Sequence, residues 1–157
     1  MPEIALDAFD RQILNLLQSD GRMTNQDLAD RIGLSPSPCL RRVRRLEERK
    51  VISQYVALVD PDAVGLHVTA FIRVRLHQQG EHHLGGFERA IAGFPEVMEC
   101  YLMTGEADYQ LRVVVPSLEA FELFLRSKLT RIESVSSVTT SLALRPVVYR
   151  TRIGVDG

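Results

Sequence analysis

The chain has 157 residues, of which 45% are hydrophobic and 25% charged, and its formal net charge is −1. This composition is typical of a folded soluble protein with one large or two small domains, and it excludes fibrous and disordered classes. No apolar run could cross a bilayer and no signal-like stretch opens the chain, so we expect a cytoplasmic protein without membrane contact. Two cysteines and four histidines, without ligand spacing, predict neither a disulfide framework nor a metal site, and no cofactor is expected.

Positive charge is concentrated in one short stretch of the sequence. Residues 35–50 contain six Lys or Arg side chains against two Glu, whereas residues 1–60 as a whole are balanced. A focused basic patch in a neutral chain indicates a local anionic partner rather than a general attraction to nucleic acid.

Apolar spacing before about residue 53 is helical. Asp7 is placed to cap a first helix, and Thr24 a second, short helix that Gly33 ends in a left-handed conformation. The apolar positions that we expect these two helices to bury are Phe9, Ile13, Leu16, Leu17, Leu28, Ala29 and Ile32. The short second helix and the close spacing of the next cap predict a helix-turn-helix.

The third helix carries the arginines. Ser35 followed by Pro36 is a cap and a first-turn proline, although the helix could instead start with Ser37 as its cap. At 100° per residue Leu40, Val43 and Leu46 centre a predicted buried stripe, and Arg41 and Arg45 project almost opposite it. A basic helix that follows a capped helix and a tight turn is suited to enter the major groove of DNA.

From residue 52 the apolar period changes to two. Residues 53–60 predict a strand or wing, and residues 61–67 a linker. The rest of the chain then alternates as strand, helix, strand, strand, helix, strand, which predicts a ferredoxin-like βαββαβ sandwich with helices on one face of the sheet. The fold class expected is therefore α+β, divided into residues 1–53, a wing and linker at 54–66, and a second domain at 67–157.

The face of the sheet away from the helices also carries apolar residues. Phe71, Tyr101, Met103 and Val114 have the strand parity of that face. An uncovered apolar face calls for a partner, so we expect a homodimer, with cover by the C-terminal tail or the wing as the alternative.

Several separated motifs resemble the Lrp/AsnC family of bacterial and archaeal transcription regulators. They are "LDAFDRQILNLLQSDGR", "LADRIGLSPSPCLRRVRRLEERKVI", "DPDAVGL" and "MTGEADYQLRVVV", and the resemblance extends from Leu6 to about Leu144. It implies an N-terminal winged helix-turn-helix, a linker strand and a C-terminal ligand-sensing domain. It further implies dimers that often assemble into octamers, and amino acids as effectors.

The resemblance also carries site residues by position. It places the recognition helix at 35–49, with the residues nearest double-stranded DNA being Ser35, Ser37, Pro38, Arg41, Arg42 and Arg45. It places the effector region at the "GEAD" turn, with Tyr101, Thr104, Gly105, Asp108 and Tyr109. There the Gly105 backbone suits a ligand carboxylate and Asp108 an α-ammonium, although a plain hairpin turn is the alternative. One departure is Lys50, where the family usually has glycine.

The function expected is sequence-specific DNA binding that responds to a small effector. One alternative is a nucleoid-organising protein, against which the near-neutral charge weighs. Another is an enzyme, because some haem-precursor decarboxylases share this two-domain fold. The sequence contains no paired carboxylates and no nucleophile with a neighbouring base, so we do not expect an enzyme.

Overall fold

The computed structural model describes residues 5–78 and 80–155, and the chain divides into two compact units. The first unit comprises residues up to Leu58 together with the tail from Val148, and the second comprises Val59–Val147. The C-terminal tail thus belongs to the first unit, whereas the sequence placed it in the second domain. Among the helices described, none is long and apolar enough to cross a membrane.

Three helices form the first unit, and their caps agree with the sequence. They are α1 (Ala8–Ser19), α2 (Asn25–Ile32) and α3 (Pro36–Glu48), with N-caps Asp7, Thr24 and Ser35. Gly33 ends α2 at φ 70°, a left-handed conformation that glycine adopts without steric cost. The helix-turn-helix prediction is confirmed, and Ser35 rather than Ser37 is the cap of α3.

Three details of the first unit differ from the sequence-based predictions. Phe9, which the helical spacing predicts to be buried, is exposed. Leu40 is exposed, because the buried stripe of α3 runs through Cys39, Val43 and Leu46 and lies about 100° around the helix from Leu40. Residues 53–60 form no strand, and the side chains of this segment are exposed.

The tail is held along α1 by polar contacts. The Gln18 amide donates to the Ile153 carbonyl at 3.1 Å and accepts from the Ile153 N–H at 2.8 Å, as a neighbouring strand would. Arg11 donates to the Val155 carbonyl at 3.2 Å, and Val155 packs against the core of the unit.

The second unit is a four-stranded antiparallel sheet covered on one face by two helices. In chain order its elements are β1 (Val68–Leu76), α4 (Glu81–Ala92), β2 (Val97–Leu102), β3 (Tyr109–Val115), α5 (Leu118–Ser127) and β4 (Val135–Leu142). The strand order β2-β3-β1-β4 is that of the expected βαββαβ sandwich, so the α+β fold class is confirmed. Gly80 is the N-cap of α4, and Ser117 caps α5, where its side chain accepts the Ala120 N–H.

The core of the second unit lies between the sheet and its helices. Alternate residues of β1 and β3 point into it, and these are Ala70, Ile72, Val74, Leu76, Tyr109, Leu111, Val113 and Val115. The opposite face, which we call the open face, is only partly apolar. Phe71 and Tyr101 are 40% and 56% exposed on it, but Val114 is buried and Met103 lies beyond the end of β2.

Candidate nucleic-acid interface and ligand pocket

The approach of α3 to α2 is fixed by the turn between them. The Leu34 N–H donates to the Ala29 carbonyl at 3.0 Å and closes the end of α2. The Asn25 amide then donates to the Pro36 carbonyl at 2.9 Å and ties the start of α2 to the first turn of α3. The start of α3 is thereby presented with Ser35 and Ser37 exposed and Pro38 half-buried.

The arginines of α3 fall into two groups that the sequence alone did not separate. Arg41 and Arg44 are exposed, and within the described residues neither forms an ion pair. Arg42 and Arg45 instead bind carboxylates at the start of α1. The exposed pair is therefore available to an external anion, whereas the other two guanidinium groups already have internal partners.

The internal partners are Asp7 and Asp10, the capping box of α1. Arg42 Nη1 lies 2.6 Å from Asp7 Oδ2 and 2.9 Å from Asp10 Oδ1, and Arg45 Nη2 lies 2.5 Å from Asp10 Oδ2. The Arg42 guanidinium also lies 5.2 Å from the centre of the Phe9 ring, which is within cation–π distance. This network joins α3 to α1 over more than thirty residues of sequence.

The same contacts set the ionisation of the network. The Asp10 backbone N–H and, after it, the Arg42 guanidinium lower the pKa of Asp7 below its ordinary value. In turn, the Asp7 carboxylate raises the pKa of Arg42. Asp7 and Arg42 are therefore both charged at neutral pH, and this pair carries no net charge.

In the second unit the open face contains a polar pocket of about 240 Å³. It is lined by Arg73, Arg75, Glu106, Ala107, Ser137 and Thr139. The strand register places Thr139 opposite Arg73 and Ser137 opposite Arg75, and the Arg75 Nε donates to the Glu106 carbonyl. Two guanidinium groups, two hydroxyl groups and one carboxylate thus surround a space open to solvent. This combination suits a small ligand that carries both charges.

The effector residues expected from the sequence are not all placed together. Thr104 and Gly105 are exposed in the turn beside this pocket, with Gly105 at φ 109°, and Tyr101 is exposed on the open face. Tyr109 lies on the opposite face of the sheet. The centre of its ring lies 4.6 Å from that of Phe87, in the core between the sheet and its helices.

Tyr109 and Asp108 are both part of the internal structure. The Tyr109 hydroxyl donates to Glu88 Oε1 at 2.8 Å. The pKa of Tyr109 is raised above its usual range, mainly by burial and secondly by this hydrogen bond. Asp108 is 9% exposed, and its Oδ2 accepts the Leu76 N–H at 2.7 Å. The structure therefore favours the plain-turn interpretation for Asp108: its carboxylate fastens the turn to β1.

Sequence reasoning missed Arg44, Arg73, Arg75, Ser137 and Thr139. A signal for the strand residues was present, because Arg73 and Arg75 have the parity of Phe71 and so must share the open face. The difference between Arg44 and Arg45 had no such signal, since it depends on where α1 lies.

A helix-turn-helix unit with exposed guanidinium groups, followed by an α+β unit with a charged pocket, defines a DNA-binding regulator with a ligand-binding domain. Family models match both parts of the chain: winged helix-turn-helix DNA-binding over residues 6–53, and the Lrp/AsnC ligand binding domain over residues 69–153. The chain therefore belongs to the Lrp/AsnC family of transcription regulators.

Relatives and solved structures agree with this assignment. A Bkd operon transcriptional regulator of Pseudomonas aeruginosa is 44% identical over 93% of this chain and 95% of its own length. A leucine-responsive regulatory protein of Rhizobium meliloti is also 44% identical, over 92% of each chain. The crystal structure of a Neisseria meningitidis transcriptional regulator in complex with L-Met has a TM-score of 0.90 and 37% identity, and covers 95% of this chain and 96% of that one.

Proposed function

We propose that this protein is a non-enzymatic transcription regulator of the cytoplasm that binds operator DNA through α3 and changes its affinity when an amino acid occupies the open-face pocket. The observation that carries the proposal is the exposed pair Arg41 and Arg44 on the second helix of a helix-turn-helix. Guanidinium groups can bind guanine edges bidentately or phosphates singly, and an exposed pair on one helix serves either role.

Serine and proline at the start of α3 support the same interface. Recognition helices of this class contact bases mainly with residues near their N-terminus. Ser35 and Ser37 are exposed there and can donate to base edges or phosphates. Arg42 and Arg45 were expected to lie nearest DNA. Both instead bind carboxylates at the start of α1, so we assign them a different role in the protein without DNA.

The DNA-binding part is tested by alanine substitution with a matched control. Arg41→Ala and Arg44→Ala are expected to weaken binding by roughly 1–3 kcal/mol where a base contact is lost. Where only a phosphate contact is lost, the salt slope should fall by about 0.9 for each arginine. Arg126→Ala on α5 removes the same charge from the other unit. Operator affinity that is the same in all three variants, measured by fluorescence anisotropy at fixed salt, refutes the interface.

The effector part rests on the chemistry of the open-face pocket. The carboxylate of a free amino acid can bind Arg73, Arg75 or the two hydroxyls of β4, and its ammonium group can bind the Glu106 carboxylate. The solved relative from Neisseria meningitidis is a complex with L-Met, which supports an amino acid as the ligand class. Thr104 and Gly105 belong to the turn that supplies Glu106 and Ala107 to the pocket, and Tyr101 is exposed elsewhere on the open face. All three remain candidates for contact with the effector.

A thermal-shift screen of the twenty amino acids tests the effector part. A ligand at 100 times its dissociation constant adds about 2.7 kcal/mol to stability, which is a readily measured shift. Arg73→Ala and Arg75→Ala should abolish the shift, and Arg126→Ala should preserve it. A shift that survives in both pocket variants places the effector elsewhere.

A homodimer completes the proposal. Phe71 and Tyr101 are exposed on the open face, and a two-fold dimer would cover them and present two copies of α3 to a two-fold operator. Such dimers could assemble further to an octamer, as in the family. Sedimentation of the full chain at micromolar concentration should give at least a dimer, and a monomer mass would contradict this part.

A further inference from the structure

Two carboxylates at the start of α1, Asp7 and Asp10, bind two arginines of α3, Arg42 and Arg45, whose side chains remain 25% and 42% exposed. Asp10 is only 1% exposed, yet both of its oxygens are used, one by Arg42 and one by Arg45. Asp7 lies further out and adds a second contact to Arg42. The two arginines compensate the charge of the buried carboxylate, which would be strongly destabilising if it were unpaired.

The consequence for DNA binding follows from the charge balance of α3. Arg41 and Arg44 on the exposed side have no internal partner among the described residues, whereas Arg42 and Arg45 are neutralised. Contacts from arginine to phosphate do not depend on sequence, and each one steepens the salt dependence of binding by about 0.9. A helix with all its guanidinium groups available would therefore bind any duplex more tightly, and the ratio of operator affinity to non-specific affinity would be smaller.

We propose that Asp7 and Asp10 are specificity-determining residues, which lower non-specific DNA affinity by withholding Arg42 and Arg45 from phosphates. The proposal rests on the proposed function of α3 as the DNA-binding helix. It assigns to the two carboxylates a role in discrimination that goes beyond fastening α3 to α1. A carboxylate that serves only as a structural clamp would change the stability of the unit when it is replaced, but not the number of phosphates that the protein neutralises.

Two variants and one control separate these roles. Asp10→Asn keeps the shape of the side chain but removes the charge that binds both arginines. Asp7→Asn removes one of the two carboxylate charges that bind Arg42 and keeps an equally good helix cap, so it reports on masking even where Asp10→Asn weakens the fold. Asp30→Asn is the control: Asp30 is exposed on α2, and its carboxylate accepts from the Gln26 amide at 3.0 Å and pairs with no arginine among the described residues, so the net charge changes equally while no arginine is released.

The measurement is fluorescence anisotropy of the full-length variants on a duplex of random sequence, over a range of salt concentrations. Each arginine released is expected to steepen the salt slope by about 0.9 and to raise non-specific affinity roughly eightfold at 0.1 M salt. The ratio of operator to random-duplex affinity should fall in parallel. Adding Arg45→Gln to Asp10→Asn should remove the part of the gain that Arg45 supplies.

Salt slopes of Asp7→Asn and Asp10→Asn that equal the slope of Asp30→Asn would overturn the proposal and leave the carboxylates as a clamp. The same titration on Arg44→Ala keeps the two proposals apart. If Arg44→Ala lowers the salt slope as expected while neither carboxylate variant raises it, the masking proposal is rejected and the DNA interface is retained. Operator affinities of Arg41→Ala and Arg44→Ala that both equal that of Arg126→Ala reject the DNA interface itself, and with it the masking.

Discussion

Replacing Asp108 by alanine should destabilise the ligand-binding unit rather than disable a ligand contact. The Asp108 carboxylate accepts the buried Leu76 N–H at 2.7 Å, while the backbone of Asp108 bonds to Val74 and Met103 at 2.9 Å and 2.8 Å. Alanine keeps the backbone bonds but leaves the Leu76 N–H without this acceptor. A hydrogen bond to a charged group contributes about 1.5–3 kcal/mol, so we expect a loss of about 2 kcal/mol.

Calorimetry of the full chain measures this loss directly. For a unit of 60–100 residues, 2 kcal/mol corresponds to a fall in Tm of roughly 8–16 °C. Asp108→Asn retains an oxygen acceptor and should recover most of the loss, and the exposed neighbour variant Glu106→Gln should leave the Tm unchanged. The effector-induced shift should survive in Asp108→Ala. An unchanged Tm together with a lost effector-induced shift would contradict the structural role of Asp108 and indicate that it contacts the ligand.

Three further predictions concern the first unit. Lys50 has φ 58°, which is strained for a residue with a Cβ. Lys50→Gly relieves this strain, and the larger unfolded-state entropy of glycine offsets part of the gain, so we expect the unit to be stabilised by about 0.5–1 kcal/mol in denaturant unfolding. An equal or lower stability would contradict the strain. The lowered pKa of Asp7 makes a contribution to stability that is present above its ordinary value of 3.8 and is lost as the pH falls through the folded value. Acid unfolding of Asp7→Asn should lack this loss, and a profile identical to wild type would speak against it. Gln18→Ala removes two bonds to Ile153, so exchange of the Ile153 amide hydrogen should accelerate, with Gln26→Ala as the control; unchanged exchange would mean that the tail is held elsewhere.

Local chemistry made most of the fold predictable. The side-chain caps of Asp7 and Thr24, the start of α3 at Pro36 and the stop at Gly33 act within one helical turn, so a single stretch of sequence contains their cause. The positive φ of Lys50 agrees with the family resemblance, since the family usually has glycine at this position.

Contacts between distant residues were not predictable in this way. Arg42 and Arg45 meet Asp10 across 32 and 35 residues, and Gln18 meets Ile153 across 135. Such pairs depend on how elements pack, and a helical wheel cannot supply that. The position of Tyr109 in the core was predictable from the sequence, because its alternation with Leu111 and Val113 places it on the core face of the strand.

The most direct test of the account is the affinity of the wild-type protein for its operator with and without the effector. The operator can be selected in vitro from random duplexes, and the effector identified by the thermal-shift screen. A coupling of 1–3 kcal/mol, typical of allosteric proteins, predicts a change in Kd of about 5–150-fold, and operator DNA should alter effector affinity by the same factor. A Kd that no amino acid changes, or one that does not distinguish the selected duplex from a random one, would contradict the account.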